Sequence, residues 1–316
     1  MLNWSTDALP PHQRFDHWRE ERGRQLFGVT IEMPAERRHR FQGRFSARQA
    51  GGATLASLSA SAYCVSRTTA DIARLPKDSL VIGLQMAGPG WCDTPAGQTY
   101  VDAGSIVVGH SDVASRATPA TQGDFLIHML TIPLFRIGDA GEAARRLHVT
   151  TVHDARLSRL LDAAASALVD PAGELPAPEA DEAVDHVARL ALIARGALSD
   201  HTPESRAALR AGNRHAAVRL MRRNLHRPGL APEIVARALG ISLRQLHLVF
   251  EPTGVSFGRT LTAMRVDMAC RRLAMRPDEP VVDLAFACGF DSLATFYRAF
   301  RAATGMTPGG WRSATP

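Results

Sequence analysis

The sequence lacks the long apolar runs that a membrane span or a secretory signal requires. A transmembrane helix needs roughly 18 or more consecutive apolar residues, and no run in this chain approaches that length. The N-terminal segment, MLNWSTDALPPHQRFDHWRE, is polar and charged and has no apolar centre. We therefore expect no membrane association and a cytoplasmic location.

Few groups in the sequence suit metal or redox chemistry. The four cysteines, Cys64, Cys92, Cys270 and Cys288, are far apart and form no CxxC pair, which favours small buried side chains over zinc ligands or a redox pair. The segment Gly109–Asp112 supplies one histidine and no HxH pair. Because a metal site on β-strands needs several closely spaced ligands, we predict no metal and no cofactor.

Catalytic signatures are missing as well. The chain shows no nucleophile–base pattern, no metal triad and no phosphate-binding glycine loop. We therefore expect the protein not to be an enzyme and to have no catalytic residue. A metal found by analysis of the purified protein would revive the enzyme hypothesis.

Length and charge indicate a folded protein of two or three domains with a basic C-terminal third. The chain has 316 residues, of which 45% are hydrophobic and 22% charged. Residues 206–316 contain 17 arginines and 7 acidic residues, a net charge of +10, whereas the whole chain is +6 and residues 1–205 are therefore −4. Such asymmetry suggests a polyanionic partner, although charge alone does not distinguish DNA, RNA and an anionic membrane.

The N-terminal half has the pattern of a small β-barrel or sandwich. Apolar runs and alternating segments, such as Leu80–Met86, Ser105–Val108 and Phe125–Leu130, are separated by turn residues such as Gly88–Gly90. Short strands at these intervals are typical of such all-β domains.

Two amphipathic helices are predicted after residue 154. Apolar residues recur at helical spacing from Leu157 to Leu168 and again from Val184 to Leu198. We expect Asp170–Gly173 to end the first helix, the two helices to form an antiparallel pair, and the polar residues 199–209 to form a linker.

The C-terminal third contains the pattern of a helix-turn-helix twice. Each copy is a helix, a glycine turn and a second helix that begins at a serine or aspartate cap. The elements of the first copy are Pro232–Leu239, Gly240 and Ser242–Phe250. Those of the second copy are Val281–Cys288, Gly289 and a last helix that is capped by Asp291 or Ser292 and runs to about Ala302. Two such units joined by one helix would place recognition helices in successive major grooves, about 34 Å apart.

These residues resemble the DNA-binding domain of the AraC/XylS family of transcriptional regulators. The resemblance is carried by Ile234–Phe250, by Gly254–Phe257 with Arg265 after it, and above all by Leu284–Pro308, which ends in Gly305-Met-Thr-Pro308. Residues 40–135 more loosely resemble the cupin-like effector domain of the family, and the helix pair resembles its dimerisation segment.

The resemblance implies an α+β protein with three regions. These are a cupin-like β-barrel effector domain in residues 1–153, a helical dimerisation segment and linker in residues 154–208, and an all-α DNA-binding domain with two helix-turn-helix motifs in residues 209–316. It further implies promoter DNA, a small-molecule effector and RNA polymerase as partners of a homodimer that activates transcription.

The exposed positions of the two recognition helices are predicted to contact DNA. Because Leu246, Val249 and Phe250 are needed inside, the first helix is left with Arg244, His247 and Leu248, and the second presents Leu293, Ala294, Thr295, Tyr297 and Arg298. An arginine that donates two hydrogen bonds to guanine contributes about 1–3 kcal/mol of discrimination. The alternative for each arginine, expected above all for Arg259 and Arg301, is a phosphate contact or a solvated charge.

Several positions depart from the family pattern. Leu248 stands where a basic residue is usual, Leu293 and Ala294 where polar residues are frequent, and Ala231 where a serine or threonine cap is usual. The missing cap costs roughly 0.5–2 kcal/mol. We infer that base recognition relies on arginine and threonine, with leucine contacts to thymine methyl groups.

Candidates for an effector site are fewer and each has a structural alternative. The polar and aromatic residues that would line a barrel interior are Gln85, Trp91, Tyr100, His110 and His128. The segment Arg44–Arg48 has two arginines that can bind a phosphate or a carboxylate, and arginines on an exposed strand explain it equally well. A regulator without an effector, whose N-terminal domain only dimerises or contacts another protein, is the remaining alternative.

Overall fold

The computed structural model describes residues 2–169 and 176–314, except for the side chain of Arg22. The predicted helix end at Asp170–Gly173 therefore lies outside the described residues. The chain divides into two compact units, residues 1–212 and 213–316.

The first unit contains two β-sheets. The strands are β1 (Leu2–Ser5), β2 (Thr30–Glu32), β3 (Gly43–Ala50), β4 (Ala53–Ser61), β5 (Cys64–Arg67), β6 (Ser79–Ala87), β7 (Gly90–Thr94), β8 (Gly97–Val101), β9 (Ile106–His110), β10 (Ser115–Pro119), β11 (Asp124–Pro133) and β12 (Thr150–Thr151). One sheet has the order β1-β3-β4-β11-β6-β9-β12, and the other has the order β2-β5-β10-β7-β8.

The sequence pattern left a barrel and a sandwich open, and the strands form two separate sheets and not a closed barrel. Their edge strands are β1 and β12 in the larger sheet and β2 and β8 in the smaller one. Turn-separated strands specify antiparallel neighbours, but closure depends on pairing between strands that are distant in sequence. The strand content and the α+β class are confirmed.

An aromatic core lies on one face of the large sheet and is completed by residues of the small sheet. Phe15, Trp18 and Phe41 are fully buried, with ring centroids 5.5 Å apart for Phe15–Phe41 and 5.6 Å for Trp18–Phe41. Ile31 of β2 and Met129 of β11 pack in the same cluster. Burial of each large apolar side chain contributes about 1.5–3 kcal/mol, so this cluster stabilises the pairing of the two sheets.

Helices cover part of the opposite face of the large sheet. The helices of this unit are α1 (Pro11–His17), α2 (Thr69–Arg74), α3 (Ala140–Arg145), α4 (Ala155–Val169) and α5 (Ala177–Ala194), and α6 (Pro203–Arg223) continues into the second unit. Helix α5 packs on the β3–β4 turn, where a Cβ on Gly51 would lie 2.4 Å from the Ala180 carbonyl oxygen. The predicted pair of amphipathic helices is therefore present, and its apolar stripes are buried.

The predicted linker at residues 199–209 is largely helical. Helix α6 begins at Pro203, and the Thr202 hydroxyl accepts a hydrogen bond from the Ser205 N–H at 3.1 Å. A threonine cap, a proline and the acidic Glu204 at the first turn form a helix start that the polar composition of the segment conceals. The domain limits at 153 and 208 remain predictions.

The second unit is helical in its described residues. After α6 come α7 (Pro232–Leu239), α8 (Leu243–Phe250), α9 (Phe257–Met275), α10 (Val281–Ala287), α11 (Leu293–Thr304) and α12 (Pro308–Ala314). The predicted helix-turn-helix pairs are thus α7–α8 and α10–α11, with α9 between them. No helix among the described residues is long and apolar enough to cross a membrane.

Candidate nucleic-acid interface

The start of α8 is fixed by a reciprocal cap. Gly240 ends α7 with a φ of 68°, in the left-handed region that favours glycine. The Ser242 hydroxyl accepts from the Gln245 N–H at 3.1 Å, and the Gln245 side chain accepts from the Ser242 N–H at 2.9 Å. This capping box sets the first turn of α8 and hence the side chains that face outward.

The second helix-turn-helix repeats this arrangement with a different core. Gly289 turns the chain with a φ of 82°, and the Ser292 hydroxyl accepts from the Thr295 N–H at 3.3 Å. Phe296 packs edge-on against Phe290 at 5.1 Å between ring centroids, and Phe300 follows one turn later. These rings hold the inner face of α11 against α9 and α10.

The faces of both helices agree with the predicted burial. Leu246, Val249 and Phe250 are at most 4% exposed. The predicted DNA-facing residues Arg244, His247, Leu248, Leu293, Ala294, Tyr297 and Arg298 are exposed, and only Thr295 is half-buried. The Thr295 hydroxyl lies 2.9 Å from the Ser292 hydroxyl, so a base contact by this residue would compete with the helix cap.

The arginines of this unit fall into two groups. Arg244 and Arg298 make no hydrogen bond or ion pair with another described residue, and the same holds for the side chains of Arg259 and Arg301. By contrast, Arg272 forms an ion pair with Glu279. Exposed guanidinium groups without a protein partner are available to phosphate or to a base edge.

Arg265 of α9 belongs to the second group and joins the chain that follows α6 to the second helix-turn-helix. Its Nε donates to the Leu225 carbonyl at 3.2 Å, and its Nη2 donates to the Arg227 carbonyl at 2.6 Å. The guanidinium also lies 5.9 Å from the ring centroid of Phe290. Partial burial lowers the pKa of Arg265, although the residue remains charged.

The joint at Arg265 is absent from the predictions, in which this residue belonged only to a family motif. No local sequence pattern predicts these contacts, because the carbonyls that Arg265 contacts lie 40 and 38 residues earlier in the chain.

Apolar side chains contribute to the same outward faces. Leu248, Leu293 and Tyr297 are 43%, 37% and 41% exposed, so each helix presents apolar surface beside its arginine. Leucine side chains in these places can contact thymine methyl groups. Helix α7 has no side-chain cap, as expected, because Ala231 at its N-terminus makes no side-chain hydrogen bond to the helix start.

The five effector candidates are divided between the two sheets, with Trp91 and Tyr100 on the small sheet and the other three on the large sheet. Trp91 and Tyr100 are paired across β7 and β8, and their rings stack edge-on at 4.9 Å. The Gln85 amide donates to the Ala87 and Gly88 carbonyls, and His110 lies 3.2 Å from the Asp78 carboxylate.

His128 has a different orientation from its neighbour Met129. It shares a sheet face with its cross-strand partners Ser57 and Leu84, whereas Met129 packs on the aromatic core. His128 therefore points away from the space between the sheets. Burial lowers its pKa.

The four cysteines are free thiols. Cys92 and Cys288 are buried, and burial raises the pKa of each thiol to about 11. Within the described residues, no group of three or more His, Cys, Asp or Glu side chains is arranged to hold a metal ion.

Comparison with known proteins identifies the helical unit. The sequence model of a helix-turn-helix domain matches residues 235–314. The transcriptional activator NphR of a Rhodococcus species is 33% identical over 94 residues, which cover 30% of this chain and 28% of that protein. In this match the chain spans less than a third of the length of its relative.

A solved structure extends the likeness in fold. The AraC-like transcriptional activator CuxR has a TM-score of 0.54 and 19% identity, over 90% of this chain and 100% of that chain. At this identity the comparison concerns the fold alone. Residues 235–314 therefore match a helix-turn-helix domain, and the chain as a whole has a fold similar to that of an AraC-like transcriptional activator.

Proposed function

We propose that the protein is a sequence-specific DNA-binding transcriptional regulator. The observation that carries the proposal is the pair of capped helices, α8 and α11, whose outward faces present Arg244 and Arg298 without protein partners among the described residues. Both lie within the matched helix-turn-helix domain. Arginine in a recognition helix reads guanine through two hydrogen bonds, while the surrounding arginines supply phosphate contacts.

We further propose that the regulator is an activator controlled by a small molecule. Both NphR and CuxR are named transcriptional activators, which supports the first part. Control by an effector requires the N-terminal unit to bind a ligand with different affinity in two states of the protein. Contact with RNA polymerase, and a homodimer formed through α4 and α5, complete the proposal.

Selection from a random duplex library tests the DNA-binding function. The full chain should enrich a sequence with two half-sites about one helical turn, roughly 10 base pairs, apart. Arg244→Ala and Arg298→Ala should each relax the preference within one half-site. An enriched pool identical to the starting library would overturn the proposal.

Arg271→Ala is the matched control. Arg271 carries the same charge on α9 and pairs with Asp267 at 2.8 Å, and its side chain is 73% exposed. Its removal should lower affinity equally for all sequences or leave it unchanged. If the control relaxes base preference as much as the recognition-helix variants do, the assignment of Arg244 and Arg298 is wrong.

A further inference from the structure

The uncovered part of the large sheet carries a row of polar side chains across four strands. In the strand register Asn3 of β1, Ser46 of β3, Ser57 of β4 and His128 of β11 are consecutive cross-strand partners. Paired residues of an antiparallel sheet point to the same face. We call these four residues the polar row.

The polar row lies where the helical cover of this face ends. Two residues further along the strands, Leu55 and Leu130 are partners on the same face and are almost completely buried. Ser46, Ser57 and His128 are half-buried. Asn3, Ser46 and Ser57 line an open depression of about 420 Å³ together with Arg44 and Ser59, and His128 lies outside its lining. Since a water molecule occupies roughly 30 Å³ of liquid, the depression has room for a molecule the size of a nucleotide.

The side chains of the polar row have unused hydrogen-bonding capacity. None of Asn3, Ser46, Ser57 and His128 makes a side-chain hydrogen bond with another residue that the structure describes, and the same is true of Ser59 in the adjacent row. A hydroxyl group can donate one hydrogen bond and accept others, so each of these serines is free to bond to solvent or to a ligand. The row therefore offers several donors to a ligand.

Two arginines flank the polar row on the same face. Arg44 and Arg48 lie on β3, two residues to either side of Ser46, which places their Cα atoms about 7 Å from that of Ser46. Arg48 donates to the Leu168 carbonyl of α4. Arg44 contacts the Asp7 carboxylate at 3.1 Å, and both side chains of this pair are at least half exposed.

The Arg44–Asp7 pair indicates which charge the site accepts. An exposed ion pair of this kind contributes only about 0–1 kcal/mol, so a competing anion can replace the carboxylate. Guanidinium groups bind phosphate and carboxylate through parallel hydrogen bonds, and serine hydroxyls supply additional donors.

We propose that Arg44 and the polar row bind the phosphate group of a nucleotide-sized ligand. This inference rests on the proposed function in one respect, because it identifies the effector of the regulator as a phosphate ester. The size of the depression favours a nucleotide over inorganic phosphate, and the flanking arginines suit one or two phosphates.

Calorimetric titration of the full chain with three probes tests the site. The probes are inorganic phosphate, a nucleoside 5′-monophosphate and a nucleoside 3′,5′-cyclic monophosphate, so that free phosphate, monoester and diester are distinguished. At least one nucleotide should bind more tightly than inorganic phosphate. Tightest binding of inorganic phosphate would overturn the nucleotide assignment, and no binding by any probe at millimolar concentration would overturn the site.

The variants separate a built site from general attraction of anions. Arg44→Gln should weaken nucleotide binding at least tenfold and Ser57→Ala at least threefold, whereas Asp7→Asn should strengthen it by removing the competing carboxylate. Arg116→Gln is the matched control, because Arg116 is an exposed strand arginine paired with Glu32 at 3.4 Å on the other sheet. Equal losses in the Arg44 and Arg116 variants would overturn the proposal.

Binding of the selected duplex, measured with and without the nucleotide, separates the two proposals. A nucleotide that binds at Arg44 and changes DNA affinity supports both. Nucleotide binding that leaves DNA affinity unchanged supports the site and overturns its role as an effector site. A chain that binds the nucleotide but no DNA contradicts the proposed function alone.

Discussion

The two helix-turn-helix units share a backbone plan but differ in what surrounds each turn. A Cβ on Gly240 in the first unit would have no described atom within 4 Å, whereas a Cβ on Gly289 would lie 2.0 Å from the Leu225 carbonyl oxygen. The first turn therefore needs glycine only for its backbone conformation, whereas the second also needs it because the chain at Leu225 packs directly against the turn. The same residue type thus serves backbone conformation alone in one unit and a close approach of two chain segments in the other.

The first helices of the two units differ in their exposed faces. Helix α7 exposes Glu233 and Arg237, while the equivalent positions of α10 expose Val282 and Phe286. Phe286 is 48% exposed. The charged pair suits a solvated helix, and the apolar pair gives the second unit a more hydrophobic surface.

Substitution of the two turn glycines should give the largest difference between the units. Gly240→Ala should destabilise by about 1–2 kcal/mol, the cost of a left-handed conformation for a residue with a Cβ. Gly289→Ala should destabilise by roughly 2–5 kcal/mol, because overpacking adds to the same backbone cost. Urea unfolding of the full chain, followed by far-ultraviolet circular dichroism, measures the loss in each variant relative to the unsubstituted chain. Equal losses would contradict the distinction between the two turns.

Loss of the Arg265 joint should come next. Arg265→Gln removes a charged donor from two carbonyls, and we expect destabilisation of about 2–3 kcal/mol. We also expect weaker discrimination between duplexes whose half-sites differ in spacing by one base pair, since the joint fixes one helix-turn-helix relative to the other. Gel-shift titration over a spacing series checks this. A uniform loss of affinity at every spacing would indicate a purely structural role.

The recognition arginines should have smaller and separable effects. Arg244→Ala and Arg298→Ala should each reduce discrimination by about 1–3 kcal/mol at one base position. Because the two residues lie in different helix-turn-helix units, the effects should be additive in the double variant. Competition binding with single-base variants of the selected duplex gives the two positions. Loss at the same base position in both variants would contradict their placement in separate half-sites.

A new cap on α7 should give the smallest change. Ala231→Ser supplies the hydroxyl that the first unit lacks, and we expect a gain of roughly 0.5–2 kcal/mol in the free energy of unfolding. Ser242→Ala, which removes a cap that is already present, should produce a loss of similar size. Thermal unfolding of both variants measures the gain and the loss in stability. A destabilised Ala231→Ser variant would show that the helix start has another partner.

Much of the helical unit could be predicted because its signals are local. Gly240, Ser242 and the spacing of Leu246 and Phe250 define a turn, a cap and a buried face within a dozen residues. The family resemblance added the class of partner, DNA, to this pattern. Arg265 was not predicted in its role, since no local pattern reveals which distant carbonyls an arginine contacts.

The N-terminal unit was predicted less completely. Its strands and the two helices α4 and α5 were expected, but the strands do not close into a barrel and the effector candidates are divided between the two sheets. Trp91 and Tyr100 pair with each other on adjacent strands, and His110 is held by Asp78. Residue type suggested ligand binding at these positions, whereas strand register determines which side chains share a face.

The sequence by itself determined the periodicity of the helices, the positions of the two turns and the basic character of the C-terminal third. These properties depend on neighbours a few residues apart, through helix geometry, capping and charge. Only the tertiary structure decided that Asn3, Ser46, Ser57 and His128 form one row and that Arg265 reaches Leu225. The physical reason is that cross-strand register and helix packing bring together residues whose separation along the chain carries no local signal.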